Sequence, residues 1–272
     1  MKLKNNMILS ENKQKSIIEI IKKCGKNLLS AHDIGRNEND ISSKEGAANF
    51  VTVYDVKTQD DLISGLKDVI PDALFFAEEQ DNSMVDFKDS FCFFIDPIDG
   101  TTNFIHGMNM SAVSVALSYN GETVFGAVYD PYADEMFWAS RGDGAYLNGK
   151  KIYVSNRSLE NALIMFGTAP YDREVLAENF FPVLYRVYMN CADIRRSGSA
   201  ALDLCYVACG RAEAYIEAIL SPWDFAAGKL ILEEAGGKLT SFNGNDIILG
   251  EKSSVLCSNT VLHSKMLGLI NQ

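Results

Sequence analysis

The hydrophobic pattern of this chain changes period near residue 73. In Lys13–His32 and Val56–Val69, apolar residues recur every three or four positions, which predicts two amphipathic helices. Beyond them, short apolar runs are separated by turn pairs such as Asn120-Gly121 and Asn148-Gly149, which predicts strands, several of them joined as hairpins. The predicted strands are Leu74–Phe76, Phe91–Ile95, Ser111–Tyr119, Thr123–Tyr129 and Glu135–Ser140.

The second half of the chain mixes helices and strands. A helix is predicted from about Ser199 to Gly210, a strand over Ala212–Ile219, and a further helix from Pro222 to about Ala235. This last helix has a strong start signal, because a serine cap, a proline at the first position and Asp224 in the first turn all suit a helix N-terminus. Taken alone, Asp224 is explained as a first-turn acidic residue.

Length and composition favour one folded unit. The chain has 272 residues, of which 47% are hydrophobic, and it has no Ser/Gly-rich stretch that would serve as a flexible linker. We therefore expect a single domain over 1–272, with an N-terminal α+β lobe (about 1–150) and a C-terminal α/β lobe (about 151–272). The polar segment Asp33–Asn49 is predicted to be a long exposed loop.

Composition also narrows the partners and the location. The chain has 25 Lys and Arg against 36 Asp and Glu, and this formal charge of -11 disfavours a nucleic acid polymer as partner. An anionic substrate would need a divalent metal held by carboxylates. No apolar run approaches the roughly 20 residues of a membrane span, and the N-terminus lacks a signal-peptide pattern, so the predicted location is the cytoplasm, away from membranes. The six cysteines include no CxxC pair, so a disulfide framework is not expected.

The densest group of candidate functional residues, 96–103, directly follows the apolar run Phe91–Ile95. A buried strand would present Asp96 at its end and Asp99 three residues later, so the two carboxylates can converge on one cation. Ile98 lies between them and can offer only its carbonyl oxygen.

The same stretch continues with a pattern that suits phosphate. Gly100 can adopt backbone angles that other residues resist, and Thr101 can open a short helix whose amides face an anion. The alternative is that Asp-Pro and Asp-Gly are simply good turn dipeptides.

A second acidic feature, Glu78-Glu79, follows the predicted strand that ends near Phe76. Two adjacent glutamates are usually a solvated rim. Together with Asp96, Asp99 and Asp224, however, Glu78 would complete a group of four carboxylates from three segments. Such a group would repel itself unless divalent cations neutralised it.

These residues resemble the signatures of the inositol monophosphatase family. The resemblance is carried by Glu78-Glu79, by the run Asp96-Pro97-Ile98-Asp99-Gly100-Thr101-Thr102-Asn103-Phe104, and by Trp223-Asp224 with Ala235-Gly236-Gly237 behind it. It implies a layered α-β-α-β-α sandwich of the inositol monophosphatase and fructose bisphosphatase kind, in the form of a homodimer. The implied activity is a magnesium-dependent, lithium-sensitive hydrolase, a phosphatase that releases phosphate from myo-inositol monophosphate or a related small phosphorylated polyol or sugar.

The resemblance also implies a role for each residue of the site. Two to three Mg²⁺ ions are expected per active site, and a metal-activated water attacks the phosphoryl group. The implied metal ligands are Glu78, Asp96, the carbonyl of Ile98, Asp99 and Asp224. The implied catalytic residues are Glu78, Asp96 and Thr101, and Thr101, hydrogen-bonded to Glu78, acts as the base. The amides of Gly100 and Thr101 are expected to cradle the phosphate.

Substrate contacts are expected from the second half of the chain. By resemblance, Gly198, Ser199 and Ala200 meet the ring hydroxyls, together with Asp224 and with Glu217, which lies seven residues before it. Near a strand end, Glu217 could equally be a rim residue.

Two further positions concern the edge of the site. Lys44 corresponds to a lysine on a mobile loop over the metals, although a charge in a polar loop is usually just solvated. Ala77 departs from the family pattern, which usually has a glycine before the glutamates.

Three alternatives remain open from the sequence. Haloacid dehalogenase-like phosphatases also place an Asp pair before Gly-Thr, but their aspartates are two residues apart, whereas Asp96 and Asp99 are three apart. Within the resembled family, fructose bisphosphatase and 3'(2'),5'-bisphosphate nucleotidase activities would use the same site. A catalytically silent binding protein of the same fold is the remote alternative, against which the complete ligand set argues.

Overall fold

The computed structural model of the protein describes residues 9–31, 41–44 and 50–272. Within these ranges the α-helices are α1 (Glu11–Leu28), α2 (Val53–Val69), α3 (Thr101–Ile105), α4 (Arg173–Tyr188), α5 (Ala200–Ala208), α6 (Pro222–Glu234) and α7 (His263–Ile270). The strands are β1 (Ile41–Ser43), β2 (Phe50–Thr52), β3 (Leu74–Ala77), β4 (Phe91–Asp99), β5 (Ala112–Tyr119), β6 (Glu122–Asp130), β7 (Glu135–Ser140), β8 (Gly144–Leu147), β9 (Lys150–Ile152), β10 (Leu163–Phe166), β11 (Asp193–Arg195), β12 (Ala214–Leu220), β13 (Gly237–Thr240) and β14 (Ser253–Asn259).

The strands form two large sheets and one small ribbon. The larger sheet has seven strands in the order β3-β4-β5-β6-β7-β8-β9, and all neighbours in it are antiparallel except β3 and β4. The second sheet has five strands in the order β11-β10-β12-β14-β13. In it, β10 is parallel to both of its neighbours, and β14 is antiparallel to both of its own. Strands β1 and β2 form a separate antiparallel pair.

Helices and sheets alternate in five layers. Helices α1 and α2 cover one face of the seven-stranded sheet, where Ile17 and Leu62 pack with Phe93 in one apolar core. Helices α5 and α6 lie between the two sheets, in a core that takes Phe94 from one sheet and Tyr215 from the other. Helices α4 and α7 cover the outer face of the five-stranded sheet. The structure therefore has the layered α-β-α-β-α sandwich that the resemblance implied.

Most of the predicted elements are present, and the differences are local. Strand β4 extends to Asp99 rather than ending at Ile95, so both aspartates lie within the strand. Part of the predicted loop Asp33–Asn49 is strand β1, while residues 32–40 and 45–49 lie outside the described residues. The sequence analysis did not predict α4, α7, β2, β10, β11, β13 or β14, and it gave no strand bounds for β8 and β9 on either side of the predicted turn Asn148-Gly149.

The cysteines are buried or partly buried. All six are free thiols, and Cys24, Cys92, Cys205 and Cys257 are buried. Among the helices of the described ranges, none combines the length and the apolar character that crossing a membrane requires.

Helix α6 approaches the seven-stranded sheet closely at Gly126. A Cβ atom placed on Gly126 would lie 2.8 Å from the carbonyl oxygen and 3.0 Å from the Cα atom of Ala227. Because these are backbone atoms of α6, they cannot give way unless the helix moves. Gly126 therefore sets the distance between the sheet and α6, the helix that carries Asp224 in its first turn.

We expect Gly126→Ala to lower the free energy of unfolding by about 1–3 kcal/mol, because the added methyl group overlaps with the α6 backbone. Gly268→Ala is the matched control, since Gly268 is exposed in α7 and its Cβ would meet nothing within 4 Å. Alanine there should leave stability unchanged or raise it by up to about 1 kcal/mol. Urea unfolding compares the two variants, and equal midpoints would contradict the packing argument.

Candidate active site

An irregularity in β4 turns two carboxylates toward the same side of the sheet. Asp96 is opposite Ser114 on β5 and Asp99 is opposite Ala112, so three residue steps on β4 face two on β5. Side chains alternate between the two faces of a regular strand, so residues three apart normally point in opposite directions. The extra residue brings the two side chains to the same face of the sheet, as a β-bulge does, and both aspartates are buried.

The N-terminus of α5 holds Asp99 in place. The hydroxyl of Ser199, which caps α5, donates a hydrogen bond to the Asp99 carboxylate. The backbone amides of Ala200 and Ala201 donate to the same carboxylate at 3.3 and 2.9 Å. The segment predicted to bind substrate is therefore joined directly to a predicted metal ligand.

Asp224 lies in the first turn of α6, as the sequence predicts. It forms a capping box with Ser221, whose amide donates to Asp224 Oδ2 at 2.8 Å. One carboxylate oxygen each from Asp96, Asp99 and Asp224 lies within 4.8 Å of the other two. Asp224 therefore caps α6 and belongs to the shared acidic site at the same time.

Burial and mutual repulsion raise the pKa of all three carboxyl groups. Burial is the main cause of a pKa of about 6 for Asp99. Burial, followed by the charges of Glu78 and Asp99, raises the pKa of Asp96 well above its ordinary value. The pKa of Asp224 is raised in the same way, by burial first and then by Asp99 and Glu78. A group of oxygen donors that repel one another fits a divalent cation such as Mg²⁺, which would remove the repulsion.

Glu78 directly follows β3 and lies beside this group. Its amide donates to the carbonyl of Ile95 at 3.1 Å, which continues the pairing of β3 with β4 and brings Glu78 next to Asp96. The ammonium of Lys44 lies 2.9 Å from Glu78 Oε1 and 2.5 Å from Glu79 Oε1. Burial, and then the charge of Glu78, raises the pKa of Glu79 to about 7. Lys44 therefore pairs with the acidic residues instead of being merely solvated.

Gly100 begins α3 in a left-handed conformation, with φ 89° and ψ 42°. A Cβ atom there would lie 3.0 Å from the carbonyl oxygen of Gly198 and 3.1 Å from that of Met110. Asn103 bridges the same segments, because its side-chain amide donates to the carbonyls of Met110 and Ser197 at 2.8 and 2.9 Å. The start of α3 is thus fixed against residues 197–199, and the amides of its first turn have no helix carbonyl to bind.

The predicted hydrogen bond between Thr101 and Glu78 is wrong. The Thr101 hydroxyl lies 3.2 Å from Asp55 Oδ1 and 3.1 Å from the carbonyl oxygen of Ile98. Asp55 is fully buried in the first turn of α2, and its Oδ2 accepts from the amide and the hydroxyl of Thr52 at 2.7 and 2.5 Å. Burial raises the pKa of Asp55 to about 6.

Asp55 is a site residue that the sequence analysis missed. Its signal is the capping pattern formed with Thr52, but this pattern by itself indicates only the start of a helix. Nothing local links Asp55 to Thr101, which is 46 residues away. Tyr171 and Asp203 also lie at the site without having been predicted, and Oδ1 of Asp203 is buried with no hydrogen-bond partner among the described residues.

All of the predicted site residues line one cavity of 270 Å³. They are Lys44, Glu78, Asp96, Ile98, Asp99, Gly100, Thr101, Gly198, Ser199, Ala200, Glu217 and Asp224. Two further basic side chains, those of Arg196 and Lys252, lie at the same cavity. The four acidic residues that the sequence proposed as a group therefore share one space.

Glu217 is buried on β12, and both of its oxygens accept hydrogen bonds. Oε1 accepts from the amide of Ala169 at 2.7 Å, and Oε2 accepts from the hydroxyl of Tyr215. Burial raises the pKa of Glu217 to about 7. The alternative that Glu217 is an exposed rim residue is therefore wrong.

The raised carboxyl pKa values make metal-free protein sensitive to alkaline pH. Burial raises the pKa of Glu217 from 4.5 to about 7, so its contribution to stability is complete below pH 4.5 and is lost as pH rises through 7. Asp55 and Asp99 follow the same rule, with pKa values raised to about 6. His263 has the opposite sign, because burial lowers its pKa from 6.5 to about 4, and its contribution is lost only as pH falls below 6.5.

Between about pH 6.5 and 8, we therefore expect the Tm in a chelator to fall by ~2–4 °C, which corresponds to about 1 kcal/mol. Excess Mg²⁺ should raise the Tm most at the alkaline end, where the carboxylates are ionised. Glu217→Gln should remove part of the pH dependence, since Glu217 and Glu79, whose pKa values are both raised to about 7, titrate in this window and Glu79 remains. Thermal melts across the window measure the effect, and a Tm that rises with pH in the chelator would refute it.

Fold and site together define a class of protein. It is an α/β sandwich in which several carboxylates line one cavity, next to a helix N-terminus that begins with a glycine. A model of the inositol monophosphatase family matches residues 11–272. The inositol-1-monophosphatase of Caulobacter vibrioides is 37% identical over 255 residues, which cover 92% of this chain and 98% of that protein. The Nus factor SuhB of Vibrio cholerae is 38% identical over 228 residues, 84% of each chain. The chain belongs to the inositol monophosphatase family.

A solved structure supports the same assignment. The IMPase of Thermotoga maritima superimposes with a TM-score of 0.84 at 32% identity, covering 96% of this chain and 97% of that one. The predicted family, the layered fold and a general phosphatase function are thereby confirmed. The relatives carry different names, an inositol-1-monophosphatase and a Nus factor, so membership of the family does not determine the substrate.

Proposed function

We propose that this protein is a Mg²⁺-dependent phosphomonoesterase that hydrolyses myo-inositol monophosphate or a closely related sugar phosphate. The observation that carries the proposal is the convergence of Asp96, Asp99 and Asp224, with carboxylate oxygens within 4.8 Å of one another. The name of the Caulobacter relative supports inositol phosphate as the substrate.

The metal would be held by oxygen donors that the structure brings to one cavity. These are the carboxylates of Glu78, Asp96, Asp99 and Asp224 and the carbonyl of Ile98. Bound Mg²⁺ supplies Lewis acidity, which stabilises the charge of a phosphoryl group and makes water more acidic. The residues fit this cation because all of them offer hard oxygen ligands.

Thr101 and Asp55 are proposed to prepare the attacking water. The Thr101 hydroxyl lies within hydrogen-bond distance of Asp55 Oδ1, so it can accept a proton from water while its own proton passes to the carboxylate. Burial brings the pKa of Asp55 to about 6, close to neutral pH, where a carboxylate is a more effective base than at its ordinary value. In this assignment Glu78 acts through the metal and not as the partner of Thr101.

The remaining residues of the cavity are proposed to bind the substrate. The amides of Gly100 and Thr101 would donate to phosphate oxygens, because the first turn of a helix leaves its amides free. Gly198, Ser199, Ala200 and Glu217 would face the alcohol part of the ester. Lys44, which pairs with Glu78 and Glu79, would neutralise charge at the edge of the metal site.

Assembly and location are proposed on the basis of the family alone. We propose a homodimer in the cytoplasm that is inhibited by lithium. We also propose that the lobes 1–150 and 151–272 act as one domain, which is supported by the apolar core between the sheets, since it takes residues from both lobes.

A substrate panel with metal titration tests the proposed function. Purified protein should release phosphate from myo-inositol 1-phosphate faster than from fructose 1,6-bisphosphate or adenosine 3',5'-bisphosphate, and only with Mg²⁺ present. A chelator should abolish the release, and lithium should reduce it. Phosphate release that a chelator does not diminish would refute the metal mechanism, and a strong preference for the nucleotide would refute the choice of substrate.

A further inference from the structure

A strained segment, residues 167–171, forms one wall of the cavity. It begins where the amide of Gly167 donates to the carbonyl of Ile216 at 3.0 Å, just past the end of β10. Ala169 follows with φ 39° and ψ 64°, a left-handed conformation that costs free energy for a residue with a Cβ atom. Gly167, Pro170 and Tyr171 line the cavity. Such a conformation persists only where the surroundings impose it.

The surroundings that impose it are the side chains of β12. Glu217 Oε1 accepts from the amide of the strained Ala169 at 2.7 Å, while the hydroxyl of Tyr215 donates to the other carboxylate oxygen. The carboxylate fits directly against Gly167, where a Cβ atom would lie only 2.1 Å from Glu217 Oε2. A third tie comes from Arg196, whose Nε donates to the Thr168 hydroxyl at 3.2 Å. The wall is therefore fixed before any substrate arrives.

The group that this wall presents is the phenol of Tyr171. Burial, followed by the charges of Asp224, Glu217 and Glu78, raises the pKa of Tyr171 well above its ordinary value. The phenol therefore remains a neutral hydrogen-bond donor. In a cavity dominated by carboxylates, it adds an aromatic face that suits the C–H side of a ring and a donor that suits a ring hydroxyl.

We propose that Tyr171 is a specificity-determining residue that contacts the ring of a cyclic alcohol esterified to phosphate, and that Glu217 and Tyr215 are positioning residues that hold Ala169 and so present Tyr171. The inference rests on the proposed phosphomonoesterase function and assigns to Tyr171 the preference for a cyclic over an acyclic ester. Glu217 keeps a further lone pair on each oxygen, so holding the wall does not prevent it from also accepting a substrate hydroxyl.

The test compares a cyclic and an acyclic ester on the full chain with saturating Mg²⁺. For Tyr171→Ala, the ratio of kcat/KM for myo-inositol 1-phosphate to that for glycerol 2-phosphate should fall at least about tenfold, mainly through KM. Tyr171→Phe keeps the ring, and its ratio should be about threefold to tenfold lower than that of the wild type. Tyr185→Ala is the matched control, because Tyr185 is 66% exposed on α4, and its ratio should equal that of the wild type.

The positioning residues are tested by the same ratio together with the melting temperature. Ala169→Gly keeps the amide that donates to Glu217 and suits the left-handed backbone, so it is the control whose ratio should stay near that of the wild type. Tyr215→Phe should lower the ratio with kcat nearly unchanged. Glu217→Gln retains a carbonyl oxygen that can accept from the Ala169 amide. Its ratio should therefore be closer to that of the wild type than the ratio of Glu217→Ala. A purely structural role would lower the Tm of these variants without altering the ratio, and that result would overturn the positioning part of the proposal.

Failure of the inference and failure of the proposed function give different results. If the wild type hydrolyses the esters and folded Tyr171→Ala keeps the ratio within about twofold, the wall does not select the substrate. If the wild type hydrolyses neither ester, the proposed function is wrong. Calorimetric titration of both esters into wild type and Tyr171→Ala then tests the inference. A loss of affinity for the cyclic ester alone would support it, and equal affinities in the two proteins would overturn it.

Discussion

Replacing Asp224 by asparagine is expected to lower the rate of Mg²⁺-dependent phosphate release at least about a hundredfold. The substitution keeps the shape of the side chain but removes a negative charge from the group in which Asp96, Asp99 and Asp224 lie within 4.8 Å of one another. Asparagine also retains an oxygen that can accept from the Ser221 amide, so the start of α6 should remain capped. The loss should therefore come from weaker metal binding and not from unfolding.

Two measurements separate these causes for Asp224→Asn. Phosphate release at increasing Mg²⁺ concentrations should show a higher requirement for the metal, and the increase in Tm caused by Mg²⁺ should shrink. Asp60→Asn makes the same chemical change on the exposed side of α2 and serves as the control. If Asp224→Asn keeps its activity within about tenfold and responds normally to Mg²⁺, the acidic group is not the metal site.

Removing the hydroxyl of Thr101 is expected to cost about 10²–10⁴-fold in kcat, the usual contribution of general acid–base catalysis. Thr101→Ala should have this effect because it separates the attacking water from Asp55, which lies 3.2 Å from the Thr101 hydroxyl. Thr101→Ser retains the hydroxyl and should keep most of the activity. Asp55→Asn should resemble Thr101→Ala, since an amide oxygen cannot hold the proton.

The pH dependence of kcat provides a second readout of the Thr101–Asp55 pair. Burial raises the pKa of Asp55 to about 6, and a base must be ionised to accept a proton, so the wild-type rate should fall as pH drops below about 6. Asp99 also has a pKa of about 6, so the comparison is made at saturating Mg²⁺, which keeps Asp99 ionised. Under that condition the acidic limb should disappear from the residual activity of Asp55→Asn. An unchanged limb in the variant, or full activity of Thr101→Ala, would remove the pair from the mechanism.

Local patterns explain which parts of the fold could be predicted from the sequence. Helices α5 and α6 were predicted nearly to their observed ends, because Ser199 and Ser221 are capping residues and Gly210 and Gly236 follow the helices. The four carboxylates proposed as a group, Glu78, Asp96, Asp99 and Asp224, were identified, because each lies just beyond an apolar run or opens a helix, whereas Asp55 and Asp203 were not. The layered arrangement followed from the resemblance to a family and not from the periodicity.

The parts that could not be predicted depend on contacts between distant segments. Asp55 was missed because its own sequence context describes a helix start, while its partner Thr101 lies on another element. Tyr171 was missed because its position depends on Ala169, whose unusual backbone angles are imposed by Glu217, 48 residues further along the chain. Neither residue carries a local pattern that distinguishes it from an ordinary loop or helix position.

The surplus residue in β4 also explains why the two aspartates are separated by an odd interval. Deleting either Pro97 or Ile98 would give an interval of two, with which a straight strand already points both carboxylates the same way. The observed strand, in contrast, leaves Pro97 and Ile98 without register partners on β5. By giving up one regular step of the ladder, the chain leaves the Ile98 carbonyl oxygen at the cavity, 3.1 Å from the Thr101 hydroxyl, as an uncharged oxygen between two charged carboxylates.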